Sequence, residues 1–170
     1  MCIRDRNYTI TAATYTITYN SNSGSGSTSS DTYTDGGSAV TLKNGSDFSK
    51  SGYTFGGWST TQNDASTVIT TYSSTANITV YAVWTANTYT LTYNNNGGSG
   101  SRAAGSYTAG GSALTLADGT GFTKSGYTFG GWSTTQNDSS TVITSYSSFA
   151  NITVYAVWTA NTYTLTYNNN

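Results

Sequence analysis

The chain has 170 residues, a formal net charge of −1 and only 8% charged residues, against ~25% in a typical soluble domain. Disordered chains combine few aromatic residues with a high net charge, and the 14% aromatic content of this chain argues against that class. The six basic residues are scattered, so no patch is available to neutralise nucleic-acid phosphates. No apolar run approaches the ~20 residues that a membrane-spanning helix needs, so no membrane insertion is predicted.

The first residues differ from everything that follows. The chain opens with MCIRDR, and we interpret residues 1–14 as an artefactual start joined to the end of a preceding unit. Cys2 is the only cysteine, so no disulfide within the chain is predicted. The opening shows no apolar stretch of the kind that marks a secretion signal.

The first predicted strand is Tyr15–Tyr19, in which Tyr and Ile alternate with Thr. This period of two is typical of a strand with one buried face. Residues 20–30 form a polar segment with no apolar anchor, which predicts a loop. Two short strands about a Gly turn are predicted over residues 32–42, with Val40 and Leu42 on one face.

A glycine pair interrupts the next predicted strand, in which Tyr53 and Phe55 face inward. Strict alternation would place Phe55 and Trp58 on opposite faces of the strand. A β-bulge at Gly56–Gly57 adds one residue to the count and returns Trp58 to the face of Phe55. We therefore expect Trp58 to be buried beside Phe55, and Trp132 beside Phe129 in the matching segment.

The last part of the pattern contains one short apolar cluster and one long alternating segment. The i, i+1, i+4 spacing of Val68, Ile69 and Tyr72 favours a single helical turn. Asn77–Trp84 is the clearest predicted strand in the chain. One face of that strand carries Ile78, Val80, Ala82 and Trp84, and the other carries Thr79, Tyr81 and Val83.

The whole pattern repeats with a period of 74 residues and without a gap. Residues 15–88 and 89–162 agree at 56 of 74 positions, and GYTFGGWSTTQND occurs at 52–64 and again at 126–138. Residues 163–170 begin a third copy and correspond to its first strand. A period this long fits a small autonomous domain better than a solenoid unit. The predicted fold is mainly β, α+β at most, with the domains arranged as beads on a string.

Three ordered segments resemble the internalin B-type repeat, also called the Listeria–Bacteroides repeat. They are SGYTFGGW, then NITVYAVWTAN, then an opening strand that leads into NNNGG. The resemblance implies small β-grasp-like domains in tandem, carried by large secreted or surface proteins of bacteria, with no enzymatic activity. The signature positions are Gly52, Tyr53, Phe55, Gly57, Trp58 and Trp84, and in the second copy Gly126, Tyr127, Phe129, Gly131, Trp132 and Trp158.

The chain departs from that family at two places. Lys50-Ser51 and Lys124-Ser125 stand where such repeats usually carry Pro. Val83 and Val157 stand where they often carry Lys, which predicts an exposed apolar strip beside Tyr81.

The sequence contains few residues that could support catalysis or bind a metal. The chain has no His and no Glu, which removes most general bases. Asp64 and Asp138 are copies of one position, so they are not a carboxylate pair within one domain, and TQND is typical of a turn. No calcium-loop motif is present. We therefore predict no enzyme activity, no cofactor and no metal site.

Two functions remain open. The first is a non-catalytic extracellular spacer, stalk or interaction segment, such as part of an adhesin. It is favoured by the short connection between the repeats: only TANT, residues 85–88, separates Trp84 from Tyr89, which predicts a restrained joint. The second is a carbohydrate-binding module, with Tyr81 and Tyr155 as an exposed aromatic platform. Both place the chain outside the cell or on its surface, with a glycan or a protein as partner and no nucleic acid.

Overall fold

A computed structural model of the protein describes residues 10–168. Residues 1–9 and 169–170 lie outside the described part, and so does most of the predicted artefactual start. The chain divides into two compact units, and the division falls between Thr85 and Ala86.

Each unit is built from short and medium strands in equivalent positions, with one exception. The first contains β1 (Thr14–Asn20), β2 (Ser25–Gly26), β3 (Asp31–Thr34), β4 (Val40–Thr41), β5 (Phe48–Ser49), β6 (Tyr53–Ser59), β7 (Thr71–Tyr72) and β8 (Ile78–Ala86). The second contains β9 (Thr88–Asn94), β10 (Gly105–Thr108), β11 (Leu114–Thr115), β12 (Tyr127–Ser133), β13 (Ser145–Tyr146) and β14 (Ile152–Ala160). An isolated bridge between Ser99 and Thr123 takes the place of the strand pair β2 and β5 in the second unit. No helix occurs between residues 10 and 168, so the mainly β prediction is confirmed.

Each unit has one four-stranded mixed sheet. The strand order is β3-β1-β8-β6 in the first repeat and β10-β9-β14-β12 in the second. The first and last strands of a repeat, β1 with β8 and β9 with β14, are parallel neighbours in the centre of the sheet. The outer strand β3 is antiparallel to β1, as β10 is to β9. Two tandem copies of one mixed four-stranded sheet are therefore present.

The core lies on one face of each sheet, where the alternation of β1 and β8 places its apolar side chains. Ile17, Val80 and Ala82 are fully buried, and Trp58 is 2% exposed. In the second repeat Leu91 takes the place of Ile17 and is equally buried. Ile78 and Trp84 pack against the first core, which confirms the predicted inward face of β8.

The predicted bulge is present at the glycine pair. In the second repeat the pairing of β12 with β14 shifts its register between Phe129 and Gly131, where φ is +126°. A residue with a side chain rarely adopts this φ, whereas glycine adopts it at little cost. The shift places Phe129 and Trp132 on one face, with ring centroids 5.1 Å apart. The prediction for this face is confirmed.

Asparagine side chains extend the central parallel pair by one step. The register of β1 with β8 begins at Ile17 and Ile78. One residue earlier, the backbone N–H of Thr16 donates to Asn77 Oδ1 at 2.8 Å. Thr90 donates to Asn151 Oδ1 at the same distance in the second repeat. The amide side chain thus replaces a carbonyl where the strand has not yet begun.

One local prediction is wrong. Residues 68–72 form no helical turn, because Ile69 donates its N–H to the Trp58 carbonyl at 2.8 Å and Leu42 donates to the Thr70 carbonyl at 2.9 Å. These distant partners keep the segment extended. The two short strands predicted on either side of the Gly turn are present, and each pairs elsewhere: β3 pairs with β1, and β4 pairs with β7.

Residues 161–168 contain no strand in the structure, although the repeat predicts one from residue 163. Tyr163, Leu165 and Tyr167 are 80%, 74% and 81% exposed. The corresponding strands β1 and β9 are each held between two strands that follow later in their own repeat. Residues 163–168 have no such strands after them in this sequence.

Candidate functional site: a groove present in both repeats

A loop folds over the outer face of each sheet, opposite the core. This loop, residues 60–67, follows β6, and Asp64 fixes its conformation through three hydrogen bonds. Asp64 Oδ1 accepts from the backbone N–H of Ser66 at 2.8 Å and from Ser66 Oγ at 2.6 Å. Asp64 Oδ2 accepts from Thr67 Oγ1 at 2.9 Å. Ser59 Oγ, which is fully buried, lies 3.3 Å from Thr67 Oγ1. Asp138, Ser140 and Thr141 repeat this arrangement.

The loop overturns the prediction of an exposed apolar strip. Val83 is 7% exposed and Val157 6% exposed, although both face away from the core. Val83 lies at the bottom of a groove with Asn63, Asp64 and Ala65 of the loop. The strand pattern placed Val83 on the correct face, but the loop that packs against that face comes from a segment about twenty residues earlier.

The same groove occurs in both repeats, with volumes of about 170 and 160 Å³. In the first repeat it is lined by Asn22, Lys50, Asn63, Asp64, Ala65, Val83 and Trp84. In the second it is lined by Asn96, Lys124, Tyr127, Asn137, Asp138, Ser139, Val157 and Trp158. Ala65 and Ser139 are the one matched pair of lining positions that differs in residue type. Four separate segments of each repeat therefore meet at this place.

An asparagine in the left-handed conformation forms one wall. Asn22 has φ of +48° and is 8% exposed, and its Nδ2 donates to the Ala82 carbonyl at 2.9 Å. Its Oδ1 is buried without a hydrogen-bond partner. Asn96 has the same φ, and its Nδ2 donates to the Ala156 carbonyl at the same distance.

A lysine and an aspartate bring opposite charges to the groove without pairing. Lys50 Nζ lies 4.5 Å from the Tyr53 ring centroid, and Lys124 Nζ lies 4.6 Å from that of Tyr127. A cation over an aromatic face is attracted by the ring quadrupole. The ion pair found between residues 10 and 168 joins Lys43 to Asp31, and neither of these residues lines the groove. The Lys50 ammonium therefore forms no ion pair with Asp64.

The groove aspartates are held in their charged form. Hydrogen bonds from the Ser66 hydroxyl, then the Ser66 backbone and the Thr67 hydroxyl, lower the pKa of Asp64. The Ser140 hydroxyl, then the Thr141 hydroxyl and the Ser140 backbone, lower the pKa of Asp138. The turn that the sequence predicted at TQND is thus present, and its carboxylates are ionised at neutral pH.

Tyr81 and Tyr155, the residues predicted as an exposed platform, are half-buried on the outer face of the sheet. Tyr81 pairs with Asn20 of β1, and Tyr155 with the buried Ser133 of β12. Neither lines the groove, and their role as a ligand platform stays a prediction.

The signature tryptophans serve the core. Trp58 contacts Tyr19, Phe48 and Phe55, with ring centroids 4.8 to 5.3 Å apart. Its indole N–H donates to the Lys43 carbonyl at 2.6 Å. Trp84 donates to the Ser21 carbonyl at 2.9 Å and also lines the groove.

The remaining signature residues are distributed around these rings. Phe129 contacts Trp158 at 5.8 Å between centroids, as Phe55 contacts Trp84. Gly52 and Gly126 occupy left-handed turns before their strands, with φ of +80° and +78°. Tyr127 is 41% exposed, so it faces outward rather than inward. This differs from the inward orientation predicted for the equivalent Tyr53, which is half-buried.

The residues that sequence reasoning missed are Asn22 and Lys50, with their copies Asn96 and Lys124. Lys50 was visible only as a departure from the expected Pro, and Asn22 lay in a segment read as a plain loop. No group of three or more Cys, Asp, Glu or His side chains positioned to hold a metal occurs within residues 10–168. In the same part of the chain no helix has the length and apolarity to cross a membrane.

Known proteins resemble this chain at two levels. The family model of the Listeria-Bacteroides repeat domain matches residues 15–83 and again 89–157. A "Putative Gly-rich membrane protein" of Evansella cellulosilytica is 28% identical over 154 residues, covering 83% of this chain but 18% of that protein. No solved structure matches the chain. Because the two family matches together cover most of its length, the chain belongs to the Listeria-Bacteroides repeat domain family and contains two tandem copies.

Proposed function

We propose that the repeats are non-catalytic spacer units of a larger bacterial surface or secreted protein. One observation carries the proposal: the first and last strands of each repeat are parallel neighbours. The chain enters a repeat at the start of β1 and leaves it at the end of β8. Because the two strands run in the same direction, these points lie at opposite ends of the strand pair.

The parallel pairing makes the chain advance through each repeat. Ile17 is level with Ile78, and β8 continues from there to Ala86. At ~3.3 Å per residue, the nine residues of β8 carry the chain ~30 Å along the strand direction. An antiparallel pair would return the chain to the end where it entered. A repeat built this way adds length to the protein that contains it.

Surface location is part of the same proposal. The family resemblance and the similarity to a protein named as a membrane protein of Evansella cellulosilytica support it. With 8% charged residues, a surface rich in Ser, Thr and Asn keeps the chain soluble without strong electrostatic attraction to nucleic acid or lipid.

Small-angle X-ray scattering on the 170-residue chain tests the spacer function. A compact globule of this length has a radius of gyration of ~15–16 Å. We expect a clearly larger radius and an elongated distance distribution, because the chain enters and leaves each repeat at opposite ends of its parallel strand pair. A radius close to the compact value would overturn the proposal.

Carbohydrate binding is the second candidate, and the groove favours it over a site at Tyr81. The groove combines the Asn22 and Asn63 amides, the Lys50 ammonium and the ionised Asp64 with an apolar wall from Val83 and Trp84. Hydroxyl groups both donate and accept hydrogen bonds, so a sugar ring suits this mixture. A volume near 170 Å³ is below the ~300 Å³ of a drug-sized pocket, so a single ring is the expected occupant.

A paired set of variants separates the two carbohydrate sites. Cellotriose and tri-N-acetylglucosamine are titrated into the chain while tryptophan fluorescence is recorded. Binding at the groove is lost in Lys50→Ala with Lys124→Ala and retained in Tyr81→Phe with Tyr155→Phe. The reverse result would place the sugar at the tyrosines. Absence of a saturable signal for both sugars in the unmodified chain would eliminate this candidate and leave the spacer proposal untouched.

A further inference from the structure

We infer that the parallel pair of β1 and β8 is a force-bearing clamp, so that each repeat resists tension applied along the chain. The inference deepens the proposed spacer function and rests on it for the source of tension. The two chain connections of a repeat attach directly to these adjacent strands, at opposite ends of the pair. Tension along the chain therefore pulls the two strands past each other in the direction of their axes.

This direction of loading shares the force among several hydrogen bonds. When parallel strands slide past each other, every inter-strand bond lengthens at once, and the pair separates only when all of them fail together. When force acts across the strands, the bonds open one after another from one end. A hydrogen bond contributes only ~0.5–1.5 kcal/mol net, so cooperation among bonds determines the resistance.

The structure strengthens the pair at the end where the chain enters. The paired register runs from Ile17 with Ile78 to Asn20 with Tyr81. The bond from the Thr16 N–H to Asn77 Oδ1 adds a further cross-link before β8 begins. The second repeat has the equivalent bond from Thr90 to Asn151.

The clamp strands are also covered by the rest of the fold. Both have a further strand on the other side, β3 beside β1 and β6 beside β8, so neither is a sheet edge. On the core face, Ile17, Val80 and Ala82 are completely buried. Water cannot reach the loaded bonds from that side, which matters because water competes for groups that a stretched bond releases.

Single-molecule force spectroscopy with two attachment geometries tests the clamp. All measurements use the full chain with Cys2→Ser, and both geometries load the first repeat only. Handles at Ala13→Cys and Thr85→Cys pull the strands past each other. Handles at Ala13→Cys and Thr75→Cys pull at the same end of the pair and peel β1 from β8. All three attachment residues are exposed, so the handles leave the core intact.

We expect a several-fold higher unfolding force in the first geometry than in the second. Equal forces, or a lower force in the first geometry, would overturn the inference. That outcome would leave the scattering result intact, because an elongated chain need not be mechanically strong. Conversely, a compact scattering profile combined with a high sliding force would reject the spacer function and retain the clamp.

Variants of Asn77 test the cross-link. Asn77→Ala removes the acceptor for the Thr16 N–H and lowers the force in the sliding geometry, whereas Asn77→Asp keeps an acceptor oxygen and restores most of it. Asn151→Ala is the matched control, since it alters the second repeat and leaves the force of the first unchanged. An equal force for the unmodified chain, Asn77→Ala and Asn77→Asp would contradict the assigned role of this side chain.

Discussion

The two repeats have the same core but differ at one edge of the sheet. In the first, the Tyr19 hydroxyl donates to Asp31 Oδ2 at 2.6 Å, and Lys43 Nζ lies 3.6 Å from Asp31 Oδ1. The equivalent positions in the second repeat are Gly105 and Ala117. There the Tyr93 hydroxyl accepts a hydrogen bond from the Ala117 N–H at 3.2 Å, as the Tyr19 hydroxyl does from the Lys43 N–H at 3.3 Å, but Gly105 stands where the first repeat has the carboxylate.

An apolar residue compensates for the missing network. Val40 of the first repeat corresponds to Leu114 in the second, which is one carbon larger. A Cβ added to Gly105 would lie 2.6 Å from Leu114 Cδ2, so the leucine occupies the space that a side chain at this position needs. One repeat fills the edge with a charged network and the other with hydrocarbon.

This comparison shows which interactions the fold requires. A half-exposed ion pair contributes little, since the median for surface pairs is ~0–1 kcal/mol. The Lys43 and Asp31 side chains are 26% and 28% exposed, so exchanging them for an apolar contact costs little. Both repeats retain the tryptophan core and the parallel strand pair, so we expect these shared features to contribute more to the stability than the edge that differs.

The largest expected effect comes from the shared core. Trp58→Ala and Trp132→Ala should each lower the free energy of unfolding of their own repeat by ~3–5 kcal/mol, the usual cost of removing a large aromatic from a core. The costs should be similar, because Trp132 contacts Tyr93, Phe122 and Phe129 at 4.8 to 5.1 Å. Calorimetry should show one transition lost and one retained in each variant. Loss of both transitions in a single variant would mean that the repeats do not fold independently.

A smaller effect is expected where the repeats differ. Gly105→Asp should destabilise the second repeat by ~1–3 kcal/mol, because the new side chain forces Leu114 to move. Leu114→Val, which restores the residue of the first repeat, should recover much of that loss in the double variant. Urea unfolding of the single and double variants measures the recovery. Additive losses would contradict the spatial exchange between these two positions.

Local sequence patterns predicted much of this architecture. Alternation located β1 and β8, and the glycine pair predicted the bulge that turns Trp132 to the core of the second repeat. These features depend on residues that are close together in the sequence, so a short stretch of sequence is enough to predict them. The prediction of a helical turn around Ile69 is wrong because the hydrogen-bond partners of this segment, Trp58 and Leu42, lie 11 to 28 residues away in the sequence.

The groove could be predicted only in part, for the same reason. The turn at Asp64 was visible, since its carboxylate bonds to residues two and three positions later. Asn22, Lys50 and Trp84 come from other segments, and only the docking of the loop on the sheet brings them together. These residues recur 74 positions later in the sequence, but recurrence does not show which of them lie together in the fold.

Alkaline pH distinguishes the tyrosine of the charged network. Burial, and then the hydrogen bond to Asp31, raise the pKa of Tyr19 to about 12, while the Lys43 backbone N–H acts in the opposite direction. The unfolded chain loses this proton near pH 10, so stability is complete below pH 10 and falls as the pH rises towards 12. At pH 11 the loss is on the order of 1 kcal/mol. Tyr19→Phe should remove this part of the pH dependence in the melting temperature of the first repeat, whereas an unchanged slope would show that Tyr19 does not carry it.

The smallest expected effect lies in one turn that differs between the repeats. Asn44 Oδ1 accepts a hydrogen bond from the Ser46 N–H at 3.1 Å, and Asp118 Oδ1 accepts one from the Thr120 N–H at 3.0 Å. The turn geometry is therefore the same, but only the aspartate titrates. The Thr120 backbone, then its hydroxyl, lower the pKa of Asp118 below its usual value.

The sign of this effect follows from proton linkage. A carboxylate with a lowered pKa stabilises the fold above its unfolded pKa of 3.8, and that stability is lost as the pH falls through the folded value. Asp118 is fully exposed, so the change is small and is best measured as a difference. Asp118→Asn should reduce the acid-induced fall in melting temperature of the second repeat, while Asn44→Asp should introduce such a fall in the first. If the reciprocal variants moved the two repeats in the same direction, the turn would not be the source of their difference at low pH.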